Sequence, residues 1–356
     1  MSTIVILGAG MMGTSFAWPL VDRGHQVRLV GTHLDDELVD AMRAQRIHPK
    51  LGLEVPDGVT ALRNTDLPQA LQGADAIVLG VSSAGVAWAA ERLGPLLTRA
   101  LPLAMISKGL AFRDQTLHTL PDVFARQLPA ALSAQVQPVA VAGPCIAGEL
   151  ARRVPTSVVL TSRSLAAAEA FAELCRGPYY HVWCSDDVVG VEVCAALKNA
   201  FAMGIALAAG MHTARGGQPG SIALHNYESS VFAQSIWEMQ QLIRLLGGDP
   251  AHAAWLPGAG DLDVTCNGGR TGRFGQLLGQ GLGRDEAIAR MHGATLECLE
   301  ILTSLRGALA NFERAGRIGQ LDFPLARHLA EIALDGAAVA MPFERFFKPL
   351  VQPPRA

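Results

Sequence analysis

The sequence has no excess of positive charge, no metal-binding cysteine spacing and no uncharged apolar run long enough to span a membrane. With 29 Lys and Arg against 32 Asp and Glu, it offers no basic surface for nucleic acid or an anionic membrane. The first residues, MSTIVILGAG, lack the positive start of a signal peptide. Its cysteines form no C-x-x-C pair, which argues against a zinc site or a disulfide framework: Cys145, Cys175, Cys184, Cys194, Cys266 and Cys298. We therefore expect a cytoplasmic protein with no metal, no membrane span and no nucleic-acid partner.

The pattern of apolar runs predicts two domains, for which 356 residues are sufficient. In residues 1–185, apolar strands alternate with helices, which is typical of a Rossmann-type, doubly wound α/β fold with a parallel sheet covered on both faces. The predicted strands are Thr3–Leu7, 25–30, Ala76–Ser82, Leu103–Ser107, Pro138–Ala142 and Ser157–Thr161, with helices at Gly85–Thr98 and Leu165–Cys175 among them. Residues 186–356 predict an all-helical C-terminal domain, with helices at 187–211, 219–246, 283–291, 295–314 and 323–334.

A glycine motif follows the first strand and opens a helix. Gly8, Gly10 and Gly13 fit G-x-G-x-x-G. In that motif the first glycine permits a tight turn, the second admits a pyrophosphate, and the third lets helix and strand pack closely. Amides at the helix start, which include those of Met11 and Met12, receive the phosphate charge. The motif predicts dinucleotide binding; the alternative is a glycine-rich turn that binds nothing.

The second strand ends without the acidic residue that usually grips the ribose hydroxyls of NAD. It runs into Thr32 and His33, and the acids Asp35 and Asp36 are assigned to the next helix. A 2′-phosphate would meet no repulsion there and would find donors in Thr32 and His33. This tip predicts NADP, with NAD possible, unless His33 is merely a surface turn residue.

Two further segments directly follow predicted strands, where open α/β sheets place their ligands. Lys108, in SKGL, is either a ligand-binding lysine or an ordinary solvated one. In the segment AGPCIAGE, small residues such as Gly143 let a ligand approach the backbone. No base accompanies Cys145 in the sequence, so we interpret it as a packing or lining thiol.

The helical half carries two charged motifs. A lysine-asparagine pair, Lys198 and Asn199, interrupts the apolar helix GVEVCAALKNAFAMGIALAAGM. Its lysine must reach water, pair with an acid or lie in a polar pocket. Arg270 stands in GGRTGRFG, which we interpret as a glycine-rich loop suited to bidentate capture of phosphate or carboxylate. An RGG-like nucleic-acid contact is the alternative, disfavoured by the lack of stacking aromatics and net positive charge.

Taken in chain order, these motifs resemble the NAD(P)-dependent glycerol-3-phosphate dehydrogenase family of the 6-phosphogluconate dehydrogenase-like superfamily. The matching segments cover nearly the whole chain: GAGMMG, SKGL, AGPCIAGELARRVPTSVVL, GVEVCAALKNA, GAGDLDVTC and GGRTGRFGQLLGQG. The segment GTHLDDELVDAMRAQRIHPKLG resembles archaeal members, several of which use NADP. The resemblance implies interconversion of dihydroxyacetone phosphate and sn-glycerol 3-phosphate, and we expect a homodimer formed through the helical half.

The resemblance also implies roles for residues at the reacting end of the substrate. Lys198 is implied to be the catalytic acid/base, and Asn199 to orient the substrate. Lys108 is implied to serve both cofactor and substrate, with Asp261 and Thr265 supporting the reacting end. A lysine beside the carbonyl can donate the proton that the reduced oxygen needs. We further expect that a cation such as Lys108, if adjacent, disfavours the charged form of Lys198.

Other roles implied by the resemblance concern the phosphate, the substrate pocket and the cofactor. Arg270 is implied to meet phosphate and cofactor, and Gly143 and Cys145 to line the substrate pocket. Ala147 is assigned to the nicotinamide side and Glu297 to the cofactor.

Three departures from the family pattern fall at positions near the substrate. Cys145 stands where relatives have Ser or Asn, Thr271 replaces Asn, and residues 225–239 differ throughout from the usual DNAKAALITRG. Two alternatives therefore stay open: reduction of another small phosphorylated ketone or of a 2- or 3-oxo acid, and a catalytically silent NADP-sensing protein.

Overall fold

The computed structural model describes residues 1–218 and 224–347. By contacts the chain forms two compact units. The first comprises Met1–Gly109 and His118–Ala195, and the second comprises Leu110–Leu117 and the chain from Ala196 onward. The second unit thus includes a short excursion from the N-terminal half, and the long helix after residue 187 contributes residues to both units.

The first unit is built on one eight-stranded sheet. The strands of the described chain are β1 (Thr3–Leu7), β2 (Gln26–Val30), β3 (Ile47–His48), β4 (Leu53–Glu54), β5 (Val59–Leu62), β6 (Ala76–Leu79), β7 (Leu103–Met105), β8 (Leu110–Arg113), β9 (Thr116–Thr119), β10 (Pro138–Ala142), β11 (Thr156–Thr161) and β12 (Tyr180–Ser185). The order in the sheet is β12-β11-β10-β7-β6-β1-β2-β5. Its central strands are apolar and almost wholly buried, as a sheet covered on both faces requires.

The predicted parallel sheet contains one antiparallel junction. Strands β10 and β11 pair antiparallel, with Ala140 opposite Thr161, while the other neighbours are parallel. Between β10 and β11 the only helix is the single turn Ala147–Leu150, so no crossover helix returns the chain for parallel pairing. The edge strands β5 and β12 were not predicted, since their partly exposed residues give no continuous apolar run.

The helices fall mostly where the sequence predicts them. They are α1 (Met11–Ser15), α2 (Ala17–Asp22), α3 (Asp36–Gln45), α4 (Leu67–Ala70), α5 (Gly85–Leu93), α6 (Leu120–Gln127), α7 (Ala130–Ser133), α8 (Ala147–Leu150), α9 (Leu165–Cys175), α10 (Val188–Ala214), α11 (His225–Leu246), α12 (Asp261–Cys266), α13 (Arg270–Gly279), α14 (Arg284–Ala289), α15 (Glu297–Arg314) and α16 (Pro324–Asp335). The predicted helix 219–246 is described from His225, and residues 219–223 lie outside the described chain. The sequence analysis did not predict α4, α6, α7, α8, α12 or α13; α4, α7 and α8 are single turns, and glycines precede α12 and interrupt α13.

Helix α10 forms the core of the second unit together with α13. By length and composition alone α10 passes the test for a membrane span, but 89% of its most apolar stretch is buried inside the protein. A Cβ added to Gly275 would lie 2.3 Å from the Met203 carbonyl oxygen, and one on Gly279 would lie 2.2 Å from that of Leu207. These glycines of α13 are therefore required for close helix packing, and the predicted loop around Arg270 is instead a helix start.

The excursion at residues 110–117 packs against helix α15. A Cβ on Gly307 would lie 2.7 Å from the ring of Phe112. The Asn311 side-chain amide donates a hydrogen bond to the Gln115 carbonyl at 2.8 Å. Residues from two distant parts of the sequence therefore build the second unit.

Candidate active site

The glycine turn after β1 has the geometry of a pyrophosphate cradle. Gly8 has a φ of +118°, and a Cβ there would lie 2.5 Å from the Gly80 oxygen. A Cβ on Gly13 would lie 2.2 Å from the Gly8 oxygen, whereas one on Gly10 would meet nothing within 4 Å. The first and third glycines are thus required by packing, and the second leaves open space for a ligand. Gly80, which packs against this turn, was missed because it belongs to no sequence motif.

Helix α1 begins directly after Gly10, which is its N-cap residue. Amides in the first turn of a helix have no acceptor within that helix and favour an anion. Met11 is 45% exposed at this helix start, and Met12 is half-buried. The residues fit a dinucleotide pyrophosphate, which would be held by the amides from Gly10 to Gly13.

The tip of β2 does carry a carboxylate, contrary to the sequence interpretation. Asp35 precedes α3 and folds back, so that its Oδ2 accepts hydrogen bonds from the Thr32 amide at 2.8 Å and from the Thr32 hydroxyl at 2.8 Å. It also accepts one from the Ala9 amide at 3.2 Å. The hydroxyl hydrogen of Thr32 is therefore committed to Asp35, which corrects its prediction as a donor to the 2′-phosphate. The exposed His33 ring lies against Trp88, with centroids 5.3 Å apart.

Two strand ends meet beside Lys108. Its ammonium donates a hydrogen bond to the Gly143 carbonyl at 3.3 Å. Gly143 has a φ of +122°, and a Cβ there would lie 3.1 Å from the Ser157 oxygen. The half-buried Cys145 and Ala147 follow in the same segment, Ala147 at the start of the short helix α8, which packs beside α1. The structure thus brings Lys108 and the 143–147 segment together within the first unit.

Glu192 is a buried acid that the sequence analysis did not single out. It is 0% exposed, and neither carboxylate oxygen has a hydrogen-bond partner among the described residues. The Leu120 amide lies near it but outside hydrogen-bonding geometry. Burial raises the pKa of Glu192 to about 8, and the Lys108 charge opposes this rise. A carboxyl group within an otherwise apolar helical segment was the sequence signal that could have identified Glu192.

In the second unit, Lys198 of α10 forms a buried ion pair with Asp261, the first residue of α12. Lys198 is 8% exposed and Asp261 is 1% exposed. A carboxylate partner stabilises the ammonium form, which is the opposite of the effect expected from Lys108. The Thr265 hydroxyl donates to the Asp261 carbonyl at 2.6 Å. Asn199, next to Lys198, stays half-buried.

Arg270 begins α13, and its guanidinium pairs with Glu297 at the start of α15. About half of the Arg270 side chain is exposed, so it remains accessible to an anion. Thr271 is 4% exposed, and its hydroxyl lies against the Cys298 thiol. Arg270 and Glu297 therefore form an ion pair, whereas the Thr271 side chain is buried inside the protein.

The divergent segment 225–239 forms most of α11, and its inward residues stabilise α16. The Glu238 carboxylate, 1% exposed, accepts hydrogen bonds from the Leu325 amide at 2.7 Å and the Ala326 amide at 2.9 Å. Burial raises the pKa of Glu238 to about 7. This part of the departure from the family pattern therefore has a structural role in joining two helices.

Comparison with known proteins matches both halves of the chain to one enzyme family. The family models for the N-terminus and C-terminus of NAD-dependent glycerol-3-phosphate dehydrogenase match residues 3–168 and 187–343. An NADP(+)-dependent glycerol-3-phosphate dehydrogenase of Archaeoglobus fulgidus is 37% identical over 294 residues, covering 81% of this chain and 83% of that protein. A glycerol-3-phosphate dehydrogenase [NAD(P)+] of Geobacter metallireducens is 36% identical over 292 residues, covering 81% and 82%.

A solved structure extends the likeness to three dimensions. The glycerol-3-phosphate dehydrogenase of Coxiella burnetii superposes with a TM-score of 0.78 at 27% identity, covering 95% of this chain and 96% of that one. This structure confirms the Rossmann-type fold with a helical C-terminal domain, and the family models and named relatives confirm the use of NAD(P). This chain belongs to the NAD(P)-dependent glycerol-3-phosphate dehydrogenase family of oxidoreductases.

Proposed function

We propose that the protein interconverts dihydroxyacetone phosphate and sn-glycerol 3-phosphate, with Lys198 as the acid/base. The buried pair of Lys198 and Asp261 carries this proposal. An ammonium that is 8% exposed and held by one carboxylate is protonated and fixed in place. Such a group is oriented to deliver a proton to a bound substrate.

The proton transfer follows from the charge that develops during reduction. When bound, the nicotinamide supplies a hydride to the ketone carbon. Lys198 donates a proton to the ketone oxygen and becomes a neutral amine, while Asp261 keeps the side chain oriented. Solvent returns the proton to Lys198, and in the reverse direction the amine accepts the alcohol proton. Asn199 orients the substrate.

Arg270 is our proposed ligand for the phosphate. Its guanidinium has the planar geometry for bidentate phosphate binding, and it stands at a helix start, where the partial positive charge of the backbone adds to its own. Glu297 holds it in position. In the first unit, the amides from Gly10 to Gly13 hold the dinucleotide, and Lys108 adds positive charge at the strand ends.

The NADP preference, the cytoplasmic location and the homodimer are part of the same proposal. The relative from Archaeoglobus fulgidus is named for NADP(+), which supports acceptance of a 2′-phosphate. All six cysteines lie in the described part of the chain and none is in a disulfide, as a reducing compartment favours.

Steady-state oxidation of NADPH and NADH with several ketones tests the reaction. We expect dihydroxyacetone phosphate to be preferred over dihydroxyacetone and over 2-oxo acids. Lys198→Met should remove turnover and leave NADPH binding intact, and Lys198→Arg should also fail because arginine does not release its proton. Turnover near that of the wild type in either variant would exclude Lys198 as the acid/base.

A further inference from the structure

The residue between the first two glycines of the turn, Ala9, is held by side chains on both of its backbone groups. Its amide donates to Asp35 Oδ2 at 3.2 Å. Its carbonyl accepts a hydrogen bond from the Thr14 hydroxyl at 3.2 Å and lies 3.1 Å from His48 Nε2. Ala9, Thr14 and His48 are each 0% exposed. These contacts lie away from water, where hydrogen bonds are strong and their loss is costly.

The tautomer of His48 follows from its second contact. Its Nδ1 accepts a hydrogen bond from the Leu51 amide at 3.1 Å. The same amide also donates to the His48 carbonyl at 3.1 Å. A ring nitrogen that accepts carries no hydrogen, so Nε2 bears the proton and donates it to the Ala9 carbonyl. His48 is the second residue of β3, in the segment RIHPKLG, and it thereby connects this segment to the glycine turn.

Peptide geometry gives this contact a consequence for the ligand. The carbonyl of Ala9 and the N–H of Gly10 belong to one planar trans peptide and point in opposite directions. A carbonyl held inward by His48 and Thr14 therefore directs the Gly10 N–H outward. At Gly10 a Cβ would meet nothing within 4 Å, which is the open space left for a ligand.

We propose that His48 is a positioning residue for the dinucleotide, which fixes the Ala9–Gly10 peptide so that the Gly10 amide points at the pyrophosphate. Preorganised donors bind more tightly because less ordering is needed when the ligand arrives. His48 does not touch the cofactor in this proposal and acts only through Ala9. The inference adds a residue outside the glycine motif to the determinants of cofactor affinity.

The charge state of His48 gives the proposal a pH signature. Burial lowers the pKa of His48 from its usual 6.5. Two charged groups face it, Lys50, which lowers the pKa further, and Asp35, which raises it. At neutral pH the ring is uncharged and accepts the Leu51 amide. Protonation at lower pH places a second N–H against that amide, so the contact is lost and NADPH binding should weaken as the pH falls.

The test compares NADPH dissociation constants, measured by fluorescence titration of the full-length protein, for three variants. His48→Phe keeps a ring but loses both hydrogen bonds, and it should raise the dissociation constant about tenfold. His48→Gln retains a donor for the Ala9 carbonyl and should restore most of the affinity at pH 7. His181→Phe, a change of an exposed histidine on β12, is the matched control and should bind like the wild type.

Two further readouts separate positioning from general damage to the fold. At saturating NADPH, kcat and the KM for dihydroxyacetone phosphate should be unchanged in His48→Phe. Because the pKa of His48 lies below 6.5, the comparison runs from pH 6.5 down to the lowest pH at which the protein stays folded. Over that range the wild type should lose more affinity than His48→Gln, a comparison that cancels titration of NADPH itself. Wild-type affinity for NADPH in His48→Phe would overturn the proposal. So would a loss of NADPH affinity accompanied by an equal change in the KM for dihydroxyacetone phosphate, which would indicate general damage to the fold.

Discussion

Replacing Glu192 with Gln should remove a pH-dependent loss of stability. Burial raises the pKa of this carboxyl from 4.5 to about 8. Between these values the native protein holds a proton that the unfolded chain releases, so the free energy of unfolding decreases as the pH rises. From pH 5 to pH 8, these two pKa values give a decrease of about 3–4 kcal/mol. Glutamine binds no proton in this range and contributes no such slope.

Urea unfolding at several pH values between 5 and 8, followed by circular dichroism, measures this difference. The wild type should lose stability relative to Glu192→Gln by about 3–4 kcal/mol over this range. Glu91→Gln, the same change at an exposed position on α5, is the matched control and should follow the wild type. Parallel curves for the wild type and Glu192→Gln would show that Glu192 is ionised in the native state throughout, and the reasoning would then be wrong.

The same variant has a predicted effect on substrate binding. Above pH 8 the ionised Glu192 offsets the charge of Lys108, so the KM of the wild type for the phosphorylated ketone should rise. Glu192→Gln should lack this rise. If the KM rises equally in both proteins, ionisation of Glu192 does not affect substrate binding through Lys108.

Two other variants test the second unit. Asp261→Asn leaves the Lys198 charge buried without its carboxylate, which typically costs about 3–5 kcal/mol of stability. We expect a lower melting temperature and a large fall in kcat, with NADPH affinity retained. Wild-type turnover would contradict this expectation. Arg270→Ala should lower kcat/KM about a hundredfold for dihydroxyacetone phosphate and much less for dihydroxyacetone, whereas Arg290→Ala, which removes an exposed ion pair with Glu286, should change neither. An equal loss on both ketones would exclude Arg270 as the phosphate ligand. Thr271→Asn should maintain or improve activity on dihydroxyacetone phosphate, and a loss would indicate that the contact with Cys298 matters more than family likeness.

The parts of the site that could be predicted from sequence are those encoded by contiguous residues. The glycine turn depends on Gly8, Gly10 and Gly13, whose spacing alone fixes a tight turn and close packing. Helix α9 was predicted with its observed bounds, because helix formers follow Ser164, whose side chain caps the helix. Local chemistry determines such elements, so a single sequence is sufficient to find them.

Contacts between distant residues could not be predicted in this way. Asp35 was assigned to a helix, and only the folded chain shows its carboxylate turned back on Thr32 and Ala9. Asp261, the carboxylate that pairs with Lys198, lies 63 residues away in the sequence. No local pattern in either segment predicts this contact, and only the family resemblance suggested it. The predicted homodimer through the helical half stays a prediction.

The excursion at residues 110–117 limits how far the two halves of this chain are modular. A fragment beginning at residue 187 would match the C-terminal family model in full, yet it would lack Phe112 and the Gln115 carbonyl. The surface around Gly307 would then be exposed to water, and the Asn311 amide would lose its acceptor. A C-terminal half expressed alone or fused to another N-terminal domain would therefore lack part of its own second unit. The second unit folds completely only when both halves belong to one chain.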